Sequence, residues 1–139
     1  MAAQMLIEGL QEALDAVFKD TVTAEVKEIY LFSNDFTIAD DTEDSDLTEI
    51  TTNGGEKQTL TKANWGAASA ADPVVIRYNG TDGVSWTITG DLDIYGWAIR
   101  GVTSGKLYAA ENCGLKQVQA DNTVKFAPID VKLDIPEAA

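Results

Sequence analysis

Apolar residues recur every three or four positions over the first twenty residues of the chain, and acidic or polar residues fill the positions between them. This spacing predicts an amphipathic α-helix of about three to four turns within residues 1–20. A helix at a chain terminus can pack against its own domain or against another chain, and the sequence leaves both open. The apolar positions available for either contact are Leu6, Leu10, Ala13, Leu14, Val17 and Phe18.

From residue 21 onward the apolar positions follow a period of two, which is typical of β-strands. The alternation is cleanest in VSWTITG, residues 84–90, and in IDVKLDI, residues 129–135. Turn-forming pairs such as Asn79-Gly80 and Asp82-Gly83 separate the runs. The pattern predicts an all-β domain over residues 21–139, which we expect to be an antiparallel β-sandwich of the jelly-roll type behind the short N-terminal helix.

The segment LDIYGWAIRG, residues 92–101, departs from this alternation because it places apolar side chains on both faces of one strand. Such a strand is either buried on both sides or meets a partner with its outer face. We expect Gly96 to make room for a neighbouring aromatic ring. Tyr95 and Trp97 have the same parity, and their shared face is the one we predict to contact another chain, although each ring taken singly also suits the core.

The chain has 139 residues and a formal net charge of −13, so it is long enough for one domain with a real core. The acidic excess argues against binding to nucleic acid, which requires clustered Lys and Arg, and against docking on anionic membranes. No apolar run has the length of a membrane span or of a signal-peptide core. The one cysteine, Cys113, excludes an intrachain disulfide.

Histidine is absent from the sequence, which removes the commonest general base at neutral pH. Catalytic triads of the Ser-His-Asp type and Cys-His dyads are excluded for the same reason. Zinc sites built from histidine and cysteine are excluded with it. A pair of carboxylates could still hydrolyse a glycoside, but acids are too abundant for candidates such as Asp91, Asp93 and Glu111 to stand out. We therefore predict a protein that is not an enzyme and that carries no cofactor.

The most acidic segment is DDTEDSD, residues 40–46. An EF-hand counted from Asp40 fails, because Ser45 and Thr51 stand where that loop requires glycine and a bidentate glutamate. A looser calcium site made from Asp40, Asp44 and Asp46 is one interpretation of this segment. The favoured interpretation is a solvated, mobile acidic loop that binds no metal.

Several segments, taken in order, resemble a group of small virion proteins of tailed bacteriophages. The segments span about residues 9 to 135 and read GLQEALDAVFKD, YLFSNDFTIADDTEDSDLTEI, KANWGAA, IYGWAIRG, GKLYAAEN and FAPIDVKLDI. The resemblance implies a structural role in the phage particle. Many such small β-rich proteins are head decoration, or cement, proteins that trimerise on the capsid.

On this resemblance we expect a homotrimer that assembles in the host cytoplasm, binds the outer face of the capsid and bridges major capsid proteins. The contacts with the capsid or between subunits would then involve Leu6, Leu10, Leu14 and Phe18 of the helix, together with Tyr95 and Trp97. The alternative function is a tail-fibre or spike domain that binds a host glycan through exposed tyrosine and tryptophan rings.

Overall fold

The structure is a computed structural model that describes residues 7–19, 25–39, 41–71 and 73–133. Within these ranges the chain forms one α-helix and eight β-strands, and the elements are α1 (Ile7–Phe18), β1 (Lys27–Phe32), β2 (Gln58–Leu60), β3 (Val74–Tyr78), β4 (Val84–Thr87), β5 (Leu92–Gly101), β6 (Leu107–Val118), β7 (Thr123–Phe126) and β8 (Ile129–Leu133). The predicted β-rich fold with antiparallel sheets and one short N-terminal helix is confirmed. The jelly-roll topology stays a prediction.

The chain divides into two compact units. One, here called the helix unit, contains α1, β3 and β8, with β3 and β8 paired antiparallel from Val74↔Leu133 to Tyr78↔Ile129. The other, the sheet unit, contains a four-stranded antiparallel sheet in the order β2-β1-β5-β6. Strands β4 and β7 form a two-stranded sheet of their own.

In the helix unit, α1 packs on its own chain. Phe18 is 3 % exposed, and its ring centroid lies 4.5 Å from that of Trp65, which in turn lies 5.1 Å from the ring of Tyr78. The carboxylate of Asp15 accepts a hydrogen bond from the backbone N–H of Ala68 at 3.0 Å. These contacts tie the last turns of the helix to the segment that leads into β3.

The predicted intermolecular role of the helix therefore needs correction at two positions. Leu14 and Phe18 are buried within the folded chain, where Phe18 packs on Trp65, and these two residues do not form an open surface for a partner. Leu6 lies outside the described residues, and Leu10 is described only as a position within α1.

In the sheet unit, β5 lies between β1 and β6, and side chains on both of its faces are buried. Ile94, Ala98 and Ile99 are completely buried, and Trp97 is 2 % exposed. The prediction that Trp97 contacts another chain is therefore not met in the folded chain, because the ring is already enclosed in the core. The apolar residues on both faces of residues 92–101 thus belong to a strand that is buried on both sides within the folded chain.

Gly96 makes room for an aromatic ring, as the sequence predicts. It stands opposite Phe32 in the β1–β5 register. A Cβ atom at position 96 would overlap the backbone carbonyl oxygen of Glu111 on β6 and would lie 2.8 Å from Cζ of Phe32. A glycine at this point therefore allows the backbones of β5 and β6 to approach beside a fully buried phenylalanine.

Tyr95 and Trp97 do not lie together. Tyr95 is half-buried and packs against the cluster formed by Tyr30, Phe32, Leu47 and Ala98. Ala98 and Trp97 are neighbours in a regular stretch of strand, so they point to opposite faces of the sheet. The register of β5 against β6 shifts between Ile94 and Gly96, which interrupts the alternation that placed the two rings on one face.

Candidate functional site

The acidic segment belongs to an Ω-loop, residues 33–48, which we call the acidic loop. Its two ends meet, because the N–H of Ser33 donates to the carbonyl of Thr48 at 2.9 Å and the N–H of Thr48 donates to Oδ1 of Asn34 at 2.8 Å. Closed ends and a compact interior define this type of loop, which is frequently functional. Residue 40 lies outside the described residues.

The loop has an apolar underside and a charged outer surface. Leu47 belongs to the buried cluster that contains Tyr30 and Phe32 of β1, and Phe36 and Ile38 pack against that cluster. The carboxylates of Asp35, Asp41, Glu43 and Asp46 belong to exposed residues. These three apolar side chains hold the acidic loop against the sheet. The loop is therefore anchored on one side and exposed to solvent on the other.

The tip of the loop is bound to the sheet through Arg100 of β5. The guanidinium donates from Nε and Nη2 to Oε1 of Glu28, at 3.0 and 2.8 Å. It also donates from Nη1 to Oε1 of Glu49 at 2.8 Å and to Oδ1 of Asp44 at 3.2 Å. The hydroxyl of Tyr30 donates to the same Asp44 oxygen at 2.6 Å. We call these five residues the Arg100 cluster.

The cluster contains more carboxylates than cations. Three carboxylates surround one guanidinium, and Lys57 adds a second positive charge 3.4 Å from Glu28. Burial alone would lower the pKa of Arg100, but the hydrogen bonds to Glu49 and Glu28, together with the charges of Glu49 and Asp44, raise the pKa overall. Burial, followed by the contact with Asp44, raises the pKa of Tyr30. Arg100 therefore stays cationic and Tyr30 stays a neutral donor.

A shallow cleft of about 530 Å³ lies beside this cluster, between the loop tip at residues 42–45 and the β5–β6 turn at residues 104–107. The lining is mostly polar and includes Asp44, Ser104 and Lys106. Asp44 is already bound to Arg100 and Tyr30, and Ser104 is bound to Glu25. Two of the polar side chains that line the cleft thus have partners within the chain.

A second polar cluster holds the β5–β6 turn. The carboxylate of Glu25 accepts hydrogen bonds from the hydroxyl of Ser104, from the N–H of Ser104 at 2.9 Å, and from the hydroxyl of Tyr108 at 3.0 Å. The hydrogen bond from the Ser104 side chain is the main reason that the pKa of Glu25 is lowered. The ammonium of Lys27 lies 4.8 Å from the centroid of the Tyr108 ring.

This lowered pKa predicts the pH range in which Glu25 stabilises the fold. Its contribution is fully present above the unfolded-state pKa of glutamate and disappears as the pH falls through the lowered pKa of the folded state. We expect Glu25→Gln to be less stable than wild type at neutral pH, with the difference vanishing in strong acid. Urea unfolding of both proteins across this range measures it, and a stability difference independent of pH would contradict the assignment.

Of the carboxylates that the sequence singled out for calcium, the two that the structure describes have hydrogen-bond partners within the chain. Asp44 is bound to Arg100, Asp46 accepts a hydrogen bond from the N–H of Glu43 at 2.9 Å, and Asp40 lies outside the described residues. No group of three or more metal-binding side chains occurs in the part of the chain that the structure describes. Partial desolvation of the sulfur atom in this exposed residue, and the nearby charge of Glu111, raise the pKa of the Cys113 thiol, which disfavours the reactive thiolate.

The aromatic rings that would bind a glycan are largely inside the protein. Trp65, Trp86 and Trp97 are each at most 3 % exposed, and Nε1 of Trp86 donates to the carbonyl of Glu56 at 2.9 Å. Tyr30 and Tyr78 are buried as well. The glycan-binding alternative therefore loses the exposed tryptophans on which it was based.

The sheet unit has one long edge strand. β6 contains twelve residues and pairs with β5 on one side, and within the described ranges no strand pairs with its other side. All residues from 113 to 117 are exposed, and Leu115 retains 49 % of its surface. An edge of this length presents backbone N–H and C=O groups that can pair with another chain.

No family model, no curated protein and no solved structure matches the chain. The resemblance to small phage virion proteins thus rests on the sequence segments alone. None of the helical residues that the structure describes forms a segment long and apolar enough to cross a membrane.

Sequence reasoning missed Arg100 and its partners. The available signal was an arginine near the end of the largely apolar strand β5, since a buried guanidinium requires carboxylates nearby. The sequence contains too many acids for that rule alone to identify Glu28, Asp44 and Glu49.

Proposed function

We propose that this protein is a structural component of a tailed-bacteriophage virion, a decoration protein that binds the outside of the head as a homotrimer and bridges major capsid proteins. The observation that carries the proposal is the exposed twelve-residue edge strand β6. Strand addition at such an edge provides affinity through main-chain hydrogen bonds, as an assembly contact requires.

The polar clusters support a scaffold role. The partners of Arg100 and Glu25 are side chains and backbone groups of the same unit, so these clusters serve to fasten the acidic loop and the β5–β6 turn to the sheet. The net charge of −13 keeps the protein away from packaged DNA and suits the outer face of a shell.

Two features of β6 favour a specific partner over indiscriminate pairing. Its register against β5 shifts at two places, and Gly114 adopts a left-handed conformation with φ of +80°. Irregularities of this kind are a common protection of sheet edges against aggregation. A capsid protein whose exposed segment follows the same irregular path would be accepted, and a decoration protein that binds only the expanded shell stabilises that state by mass action.

The first test is the copy number in purified particles of the source phage. Mass spectrometry would quantify the chain against the major capsid protein. We expect a copy number within about a few-fold of the capsid protein, because a lattice component repeats with the symmetry of the shell. A copy number lower by roughly two orders of magnitude would overturn the decoration role and indicate a tail or vertex component.

The edge strand is tested by a matched pair of variants. Leu115 on β6 is 49 % exposed, and Val102 in the turn after β5 is 50 % exposed. We expect Leu115→Asp to weaken cosedimentation with expanded heads on the order of tenfold, whereas Val102→Asp binds like wild type. Equal binding by both variants, with both folded by circular dichroism, would exclude β6 as the contact.

A further inference from the structure

Two asparagine-glycine pairs, Asn53-Gly54 and Asn79-Gly80, occupy exposed turns, and both asparagines have positive φ angles, of 58° and 55°. The two pairs are alike in sequence but differ in their surroundings. We propose that Asn79 is a site of spontaneous deamidation in the folded protein, and that the fold protects Asn53 from the same reaction.

The reaction needs only the peptide itself and water. The backbone nitrogen of Gly80 loses its proton and attacks Cγ of Asn79, which forms a new N–Cγ bond. The Cγ–Nδ2 bond then breaks, and the amide nitrogen takes up one proton, equivalent to the one that Gly80 lost, and leaves as ammonia. Water opens the resulting five-membered imide at one of its two carbonyls. The product is aspartate, or isoaspartate in which the main chain continues through Cγ.

At Asn79 the surroundings leave space for the ring to close. A Cβ atom added to Gly80 would meet nothing within 4 Å, so the attacking backbone lies in the open. The side-chain amide of Asn79 donates one hydrogen bond, to the carbonyl of Gly83 at 3.1 Å, and the backbone carbonyl of Asn79 accepts one from the N–H of Asp82 at 3.1 Å. Both partners lie between β3 and β4, and the reaction does not use the backbone N–H of Asn79, which donates to the carbonyl of Asn64 at 2.7 Å.

At Asn53 the same rearrangement is obstructed. A Cβ atom on Gly54 would overlap the carbonyl oxygen of Thr87, which shows that the glycine backbone is pressed against β4. The carbonyl of Asn53 accepts a hydrogen bond from the N–H of Thr89 at 2.9 Å. A Cβ atom on Gly90 would lie 2.7 Å from Cγ of Asn53, so this amide is packed against main chain. Its rotation toward Gly54 would break these contacts.

Deamidation at Asn79 changes the turn that follows β3. It adds one negative charge to a chain that already has a net charge of −13. Isoaspartate also lengthens the main chain by one methylene group, which alters the spacing between β3 and the residues leading to β4. A protein that is not replaced after synthesis accumulates this product with time.

The test is incubation of the purified protein in ¹⁸O-labelled water at mildly alkaline pH, followed by peptide mass spectrometry. The label marks conversion during incubation and separates it from conversion during digestion. We expect Asn79 to incorporate ¹⁸O faster than Asn53 on the order of tenfold. Enzymatic methylation of isoaspartate would identify the second product at the same position.

The unfolded chain is the control. In concentrated denaturant both asparagines precede glycine without tertiary restraint, so we expect the two rates to differ by no more than about threefold. Equal rates in the folded protein, a faster Asn53, or the absence of label at Asn79 in folded protein would each overturn the proposal. A difference that persists unchanged in denaturant would also overturn it, because flanking sequence and not the fold would then be its cause.

Discussion

Replacing Gly96 with alanine is expected to lower the free energy of unfolding of the protein by about 3 kcal/mol or more. The added methyl group would overlap the backbone carbonyl oxygen of Glu111 and press on the ring of Phe32. Neither neighbour can move easily, because β6 is held in register with β5 and Phe32 is completely buried. The clash therefore has to be relieved by separating strands in the middle of the sheet.

Urea unfolding followed by tryptophan fluorescence measures this loss, with Gly66→Ala as the matched control. A Cβ atom at position 66 would meet only the carbonyl oxygen of Arg77, at an ordinary contact distance of 3.6 Å. We expect this control to change the stability by no more than about 0.5 kcal/mol. If Gly96→Ala were as stable as Gly66→Ala, the close approach of β5 and β6 at Gly96 would be contradicted.

The role of Gly96 could be predicted from the sequence because the signal is local. A glycine between two aromatic residues in an apolar strand implies a close approach whatever the partner strand is. The α-helix and the β-rich character of the remainder were predictable for the same reason, since periodicity is contained within each segment. The sheet face on which Tyr95 lies could not be predicted. It depends on a register shift of β5 against β6, and no pattern within residues 92–101 indicates that shift.

The Arg100 cluster was beyond local reasoning. Its partners Glu28, Asp44 and Glu49 are separated from Arg100 by 72, 56 and 51 positions along the chain. Only the pairing of β5 with β1 and the folding of the acidic loop bring these charges together. In a chain with 23 acidic residues, composition cannot show which carboxylates will surround one guanidinium.

The acidic loop illustrates the same limit. Its charge pattern predicts a solvated loop, and the exposed carboxylates agree with that prediction. The anchoring of the loop depends instead on Phe36, Ile38 and Leu47, which form one apolar cluster with residues of β1 and β5. Apolar residues scattered among acids have no periodicity. That these three residues pack in the same apolar cluster could therefore be recognised only from the folded chain.

Replacing Arg100 with methionine is expected to cost about 3 kcal/mol of stability, because it removes one partner from a largely buried ionic cluster. The side chains of Arg100 and Glu28 are only 12 % and 9 % exposed, so Glu28 would lose its close counterion with little water to replace it. Lys57 offers partial compensation, since it lies 3.4 Å from Glu28 but is itself half exposed.

The control for this variant is Arg77→Met in the helix unit. Arg77 also forms a two-pronged contact with a carboxylate, donating to Asp130 at 2.6 and 2.9 Å, but its side chain is 46 % exposed. Exposed ion pairs contribute at most about 1 kcal/mol, so we expect the control to be nearly neutral. The double variant Arg100→Met with Glu28→Gln should recover part of the loss, because it removes the uncompensated charge. If Arg100→Met cost no more than Arg77→Met, burial would not be what gives the Arg100 cluster its strength, and the acidic loop would be held by its apolar underside alone.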